Sequence, residues 1–234
     1  MKRRAKRTGM KINNKKTQLV SISGSNEAGV TANMRPTKDE VIESGTQLKI
    51  VGFWFGDKPT VLLHVEKMIS KFYSRIWVLW HQKWSRVPPV DIHLLYNSLV
   101  RPVLDFAVPV YHSLLTKDQA ESLERLQVRA FKIIYGCDVA YKTVQESTGA
   151  ETLNKRQQRL VDQFAVKAMQ HPRFGNEWFS RKLERREGLR GNTIFSYTRP
   201  HTERYKGNNT IYHMKRRLET LLQVAGRDLA DTNE

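Results

Sequence analysis

Lys67, Lys71 and Arg75 recur at intervals of four residues, and Arg125, Arg129 and Lys132 at intervals of four and three. On an α-helix residues so spaced stand one above another. A column of cations suits one task in particular, contact with the regularly spaced phosphates of a nucleic acid. The bland alternative is a solvated polar face, and neither column decides between the two by itself. Trp77, Trp80 and Trp84 flank the apolar stripe of the first of these helices. Their rings suit stacking on bases, although tryptophan at helical spacing more often belongs to a core, where these three are expected.

Bond-making chemistry is harder to find. Phosphoryl transfer by two divalent metals needs carboxylates that converge, because magnesium and manganese demand oxygen ligands. There is no Asp-Asp pair, and Asp57, Asp91, Asp105 and Asp118 fall in separate expected turns or helices. A glycine-rich phosphate loop, a Gly-x-Ser-x-Gly elbow and a His-Glu-x-x-His helix are all missing. The single cysteine, Cys137, excludes an intramolecular disulfide and makes a thiolate zinc site improbable. It follows Gly136 at an expected helix end and reads as a plain buried or half-buried thiol. No catalytic residue, metal ligand or cofactor is assigned to this chain.

The bulk charge agrees with the cation columns. Forty Lys and Arg against 23 Asp and Glu give a net +17, which self-repels unless a polyanion or an acidic partner neutralises it. Residues 1–26 hold eight basic residues and no acid, and residues 151–217 hold 16 basic against 6 acidic, a net +10. The basic start is not followed by an apolar signal core, and no apolar run approaches the roughly 20 residues that span a bilayer. The reading is an intracellular chain, nuclear or cytoplasmic, neither secreted nor bound to a membrane.

Several elements must position these residues. Leu19-Val20-Ser21-Ile22 alternates as a short strand would, and 23–45 turns to Gly, Ser, Asn, Thr and Pro, a long loop. Leu48 to Phe55 is β-branched and aromatic, one strand closed by Gly56-Asp57-Lys58-Pro59. Val65, Ile69, Phe72, Ile76 and Leu79 then mark a helix that Pro88-Pro89 ends. Val90 to Val100 restarts a helix that Pro102 and Pro109 kink or divide. Thr116 with Gln119 fits a capping box, after which Leu123, Leu126, Ala130 and Ile133 repeat until Gly136 stops the helix. Glu151 to Gln170 makes another, with Leu153, Leu160, Val161, Phe164 and Ala168 inward, ended by His171-Pro172. Beyond it Arg181, Lys182, Arg185, Arg186, Arg190, Arg199, Arg204 and Lys206 cluster, and 211–225 is a last amphipathic segment. The expected fold is mainly α, in three parts. A residual β element at 1–59 precedes a helical bundle at 60–150 and a basic helical extension at 151–234.

A succession of short motifs resembles the C-terminal part of non-LTR (LINE-type) retrotransposon reverse transcriptases. Gly9-Met10-Lys11-Ile12-Asn13-Asn14-Lys15-Lys16-Thr17 is similar to the segment that follows that family's catalytic aspartates, and Leu48-Lys49-Ile50-Val51-Gly52-Phe53 to its primer-grip strand pair. His64-Val65-Glu66-Lys67-Met68-Ile69 looks like the start of the thumb. Tyr96-x-x-x-Val100-Arg101-Pro102-Val103-Leu104-Asp105-Phe106-Ala107 resembles a pattern with Glu and Tyr where Asp105 and Phe106 stand. Leu123-Glu124-Arg125-Leu126-Gln127-Val128-Arg129-Ala130 and the stretch from Arg199 to Asn208 are similar to later motifs. The resemblance spans nearly the whole chain, and its weight lies in the order of the motifs.

It implies a right-hand polymerase with Lys16 near the incoming nucleotide. Val51, Gly52 and Phe53 would lie at the primer's 3′ end, and thumb helices would track an RNA–DNA duplex by its backbone. The family's Phe/Tyr-x-Asp-Asp motif, which holds Mg2+ in the full-length enzyme, would precede residue 1. The chain is therefore expected to bind RNA or RNA–DNA hybrid without polymerising alone, with the missing catalytic part of the polymerase as a further expected partner. Lys16, Lys67, Lys71, Arg75, Arg125 and Arg129 are the expected contacts. The competing readings are a basic helical interaction protein and a non-functional translated transposon relic.

Overall fold

In a computed structural model of the chain the described residues are 45–56, 60–179 and 209–231, with the single positions 7, 9, 20 and 195. They form a mainly α protein with one small antiparallel sheet of two strands. The chain divides into two compact units, Met1–Met68 and Ile69–Glu234. The expected strand at Leu19–Ile22, the motif around Lys16 and the basic cluster from Arg181 to Lys206 lie outside the described residues.

In the first unit β1 (Gln47–Ile50) pairs with β2 (Phe53–Gly56), Ile50 standing opposite Phe53. Val51 and Gly52 are left as a two-residue loop, with φ of 49° and 89°, the turn geometry whose twist matches a hairpin. The expected single strand from Leu48 to Phe55 is thus two strands. Such turns usually advertise themselves by Asn-Gly or Asp-Gly, and here a β-branched residue fills the first position and hides the break. Phe53 is buried, its ring stacked on His64 at 4.0 Å and 19°. The Trp54 N–H donates to His64 Nδ1 at 3.4 Å. His64 lies in the first turn of helix α1 (Leu62–Trp84).

The core of the second unit begins on α1, where Phe72, Ile76 and Leu79 are buried in one stripe. Arg86 takes a left-handed conformation and Pro88-Pro89 prevents continuation of the helix. The restart expected from Val90 is indeed divided: α2 (Pro89–Leu95), a π-helical turn (Tyr96–Val100), α3 (Arg101–Asp105) and α4 (Val108–Tyr111). Pro102 and Pro109 each sit in the first turn of a short helix, where a missing N–H costs nothing. Helix α5 (Lys117–Tyr135) opens on Thr116 with both hydrogen bonds of a capping box to Gln119 and closes on Gly136.

The short α6 (Tyr141–Thr148), which apolar periodicity did not mark, ends on a left-handed Gly149. Helix α7 (Leu153–Gln170) buries Leu153, Val161, Ala165 and Ala168. Phe164 is exposed, contrary to expectation, because Ala165 takes the inward position one residue on. His171 ends α7 and caps α8 (Pro172–Trp178), and α9 (Thr210–Asp231) packs on α7. The helices on both sides of position 150 belong to one compact unit.

Candidate nucleic-acid interface

In the first unit Lys49 and Lys67 both place their ammonium groups over the ring of Trp54, at 5.3 and 5.4 Å from its centroid. The hairpin tip carries Val51, 92% exposed, beside Gly52. Of the three residues matched to a primer grip, Val51 and Gly52 form the tip, whereas Phe53 is interior packing. Burial holds the His64 imidazole pKa down at about 4, which keeps Nδ1 available as the acceptor of the Trp54 N–H.

In the second unit Lys71 is exposed, and Arg75 donates from Nη1 to the Leu99 carbonyl at 2.6 Å, tying α1 to the π-helical turn. On α5, Arg125, Arg129 and Lys132 are exposed while Leu123, Leu126, Ala130 and Ile133 face the core. Arg125 meets Glu121 one turn back at 3.2 Å, a surface pair worth little. Arg129 sets its guanidinium 5.3 Å from the centroid of Tyr73 on α1. Lys83 of α1 donates to the Ile134 carbonyl of α5 at 2.9 Å.

The tryptophans depart from expectation. Trp77, Trp80 and Trp84 are 65%, 56% and 88% exposed, and Tyr73 is 43% exposed. The four recur at spacings of four, three and four, a stripe of their own roughly a quarter-turn from Phe72, Ile76 and Leu79. Helical spacing alone assigns tryptophan to a core, but α1 carries two aromatic or apolar stripes and the smaller side chains take the inner one. His81 stacks on Trp77 at 5.4 Å and 18°. Cys137 is also exposed, because Gly136 turns the chain off the end of α5.

A network of buried and half-buried polar side chains lies elsewhere in the second unit, and several of the sequence motifs meet in it. Tyr96 Oη donates to Gln127 Oε1 at 3.2 Å, and Gln127 Nε2 donates to Tyr141 Oη and to the Glu151 carbonyl at 2.9 and 2.8 Å. Glu124 accepts from Tyr141 Oη at 2.7 Å and from the backbone N–H groups of Leu153 and Asn154 at 3.2 and 3.1 Å, so it caps α7 from α5. Asp105 accepts from Arg156 at 2.9 Å and lies 3.7 Å from Arg101. Arg101, Arg156 and Arg159 line a cavity of about 340 Å³ with His93 and Asn97. Burial, followed by the charge of Arg156, holds Arg101 below its ordinary pKa. Tyr96, Arg101, Asp105, Glu124 and Gln127, which carry the motif resemblance, thus act on one another. Sequence reasoning missed this role; the signal was Gln127 on the apolar side of α5, in register with Leu123 and Ala130.

Among the described residues no three of His, Cys, Asp and Glu come together to hold a metal ion. Asp105 is held by arginines, while Asp91 and Asp118 are exposed on separate helices. No helix among the described residues is long and apolar enough to cross a membrane. No protein-family model matches the chain, and searches of curated proteins and of solved structures find no match to it.

Proposed function

We propose that this chain binds RNA or an RNA–DNA hybrid through its phosphates, inside the cell, as a thumb-like part of an enzyme of the non-LTR retrotransposon reverse transcriptase kind. Polymerisation would fall to a catalytic part that supplies the paired aspartates. The observation that carries the reading is the charge of α1 and its end. From Lys67 to Val90 the chain has Lys67, Lys71, Arg75, Lys83 and Arg86 and not one Asp or Glu. A surface that served only to be solvated would gain from mixed charges, which offset one another along a helix, whereas an unbroken run of one sign favours a polyanion. The ordered motifs from Gly9 to Asn208 supply the kind of enzyme.

The test is fluorescence anisotropy of labelled RNA and RNA–DNA hybrid with the full chain, over a range of salt and in competition with polyglutamate. Binding that weakens with salt and survives polyglutamate at equal charge is expected. Displacement by polyglutamate would favour a helical protein that meets acidic polypeptides.

A further inference from the structure

We propose that Tyr73, Trp77, Trp80 and Trp84 form a stacking ridge for the unpaired bases of a single-stranded nucleic acid. This rests on the nucleic-acid reading above and adds to it the strand state of the ligand and the residues that sense it.

A covered tryptophan buries some 150–250 Å², and leaving three such rings largely in water on one flank of one helix forgoes much of that gain. Trp84 stands eleven positions after Tyr73, so the ridge runs about 16 Å along α1, enough to carry three or four nucleotides. Every base has a π-face, so such a ridge binds without regard to sequence. A duplex hides those faces within its own stack, and single strands offer them.

The charge around the ridge selects a polyanion over an apolar partner. Arg129 stands over the ring of Tyr73, and Lys83 reaches the end of α5 at Ile134. One end of the ridge, at Tyr73, thus has a guanidinium of α5 beside it, and Lys83, next to Trp84 in sequence, reaches the last turn of α5. Lys132, between the two contact points in sequence, is exposed. From Lys67 to its end α1 contributes Lys71 and Lys83 and no acid, its one carboxylate, Glu66, lying before the ridge begins. Bases on the rings and phosphates on the lysines and arginines is the arrangement that binds single strands elsewhere.

The experiment compares the full wild-type chain with the double variant W80A/W84A and with W80F/W84F. The probes are a labelled oligouridylate and an RNA–DNA hybrid of equal length, with melting curves and sedimentation run on each protein. The rings are exposed, so all three chains should melt alike. The expected result is a ten-fold or larger loss of oligouridylate affinity in W80A/W84A, recovery of most of it in W80F/W84F, and hybrid affinity unchanged. Quenching of tryptophan emission by the single strand, but not by the hybrid, should accompany it. Equal affinities of W80A/W84A and wild type for oligouridylate would overturn the ridge while leaving phosphate binding intact. So would an equal loss for both probes, or a wild-type dimer that W80A/W84A dissolves with no change in binding. Failure of the wild-type chain to bind either probe would overturn the nucleic-acid reading itself.

Discussion

His64 shows how much one side chain can be decided by its surroundings. Its ring lies flat on Phe53 and its Nδ1 receives the Trp54 N–H, an arrangement open only to the neutral imidazole. Burial holds its pKa at about 4 instead of the ordinary 6.5. Between those two values the unfolded chain binds a proton that the folded chain does not, so stability rises with pH across that window. The contribution of neutral His64 is whole above pH 6.5 and is lost as the pH falls towards 4. Thermal melts from neutral pH down to about 4 should therefore show a steeper loss for the wild type than for His64→Gln, which keeps an acceptor but does not titrate. Parallel curves would show that His64 contributes nothing to the slope. The sequence shows no sign of this at His64, because its partner Phe53 is reached only when Val51 and Gly52 turn the chain.

At the scale of elements, Gln127 joins three helices: α5, which bears it, α6 through Tyr141, and the entry to α7 through the Glu151 carbonyl. Gln127→Leu would keep the volume and strand the Tyr96 hydroxyl and that carbonyl in the interior. Leaving buried polar groups unpaired costs about 2–3 kcal/mol in total, which for a chain of this size lowers the melting temperature by roughly 5–10 °C. A melt of Gln127→Leu within a degree or so of the wild type would show the network to be dispensable.

The long elements here were legible from sequence, α1 and α5 from apolar periodicity and the Thr116–Gln119 box. Stops at Gly136 and Pro88-Pro89 were legible too, being set by local backbone chemistry. What escaped was the hairpin loop, where Val51 fills a place that Asn or Asp usually marks, and whatever depends on partners distant in sequence, such as the exchange of Phe164 for Ala165. The inward role of Glu124 and Gln127 escaped for the same reason. The candidate interface divides likewise. Its cations were visible as columns and the inner stripe of α1 as Val65, Phe72, Ile76 and Leu79, but periodicity does not say whether another element covers the flanking Trp77, Trp80 and Trp84.

For the whole molecule the governing quantity is charge. The net +17 is spread over cations that are not all equally available, since Arg75 holds the Leu99 carbonyl, Arg217 pairs with Asp162 and Lys215 is buried. If Lys16, Lys67, Lys71, Arg125, Arg129 and one further cation reach phosphates, about six counterions are released. The log–log slope of affinity on salt is then roughly −4 to −5. The anisotropy titration reads that slope directly, and a value near zero would mean that phosphates are not what the chain holds.

The aromatic ridge also governs how copies of this protein meet one another. A contiguous patch of exposed rings invites self-association, and mutual repulsion between strongly positive molecules opposes it. Salt shortens the reach of that repulsion to about 8–10 Å at ordinary ionic strengths and leaves the attraction between rings nearly untouched. Colloidal stability and nucleic-acid affinity should then decline together as salt rises. The excess of lysine and arginine that recruits a polyanion is also what keeps the unliganded protein dispersed.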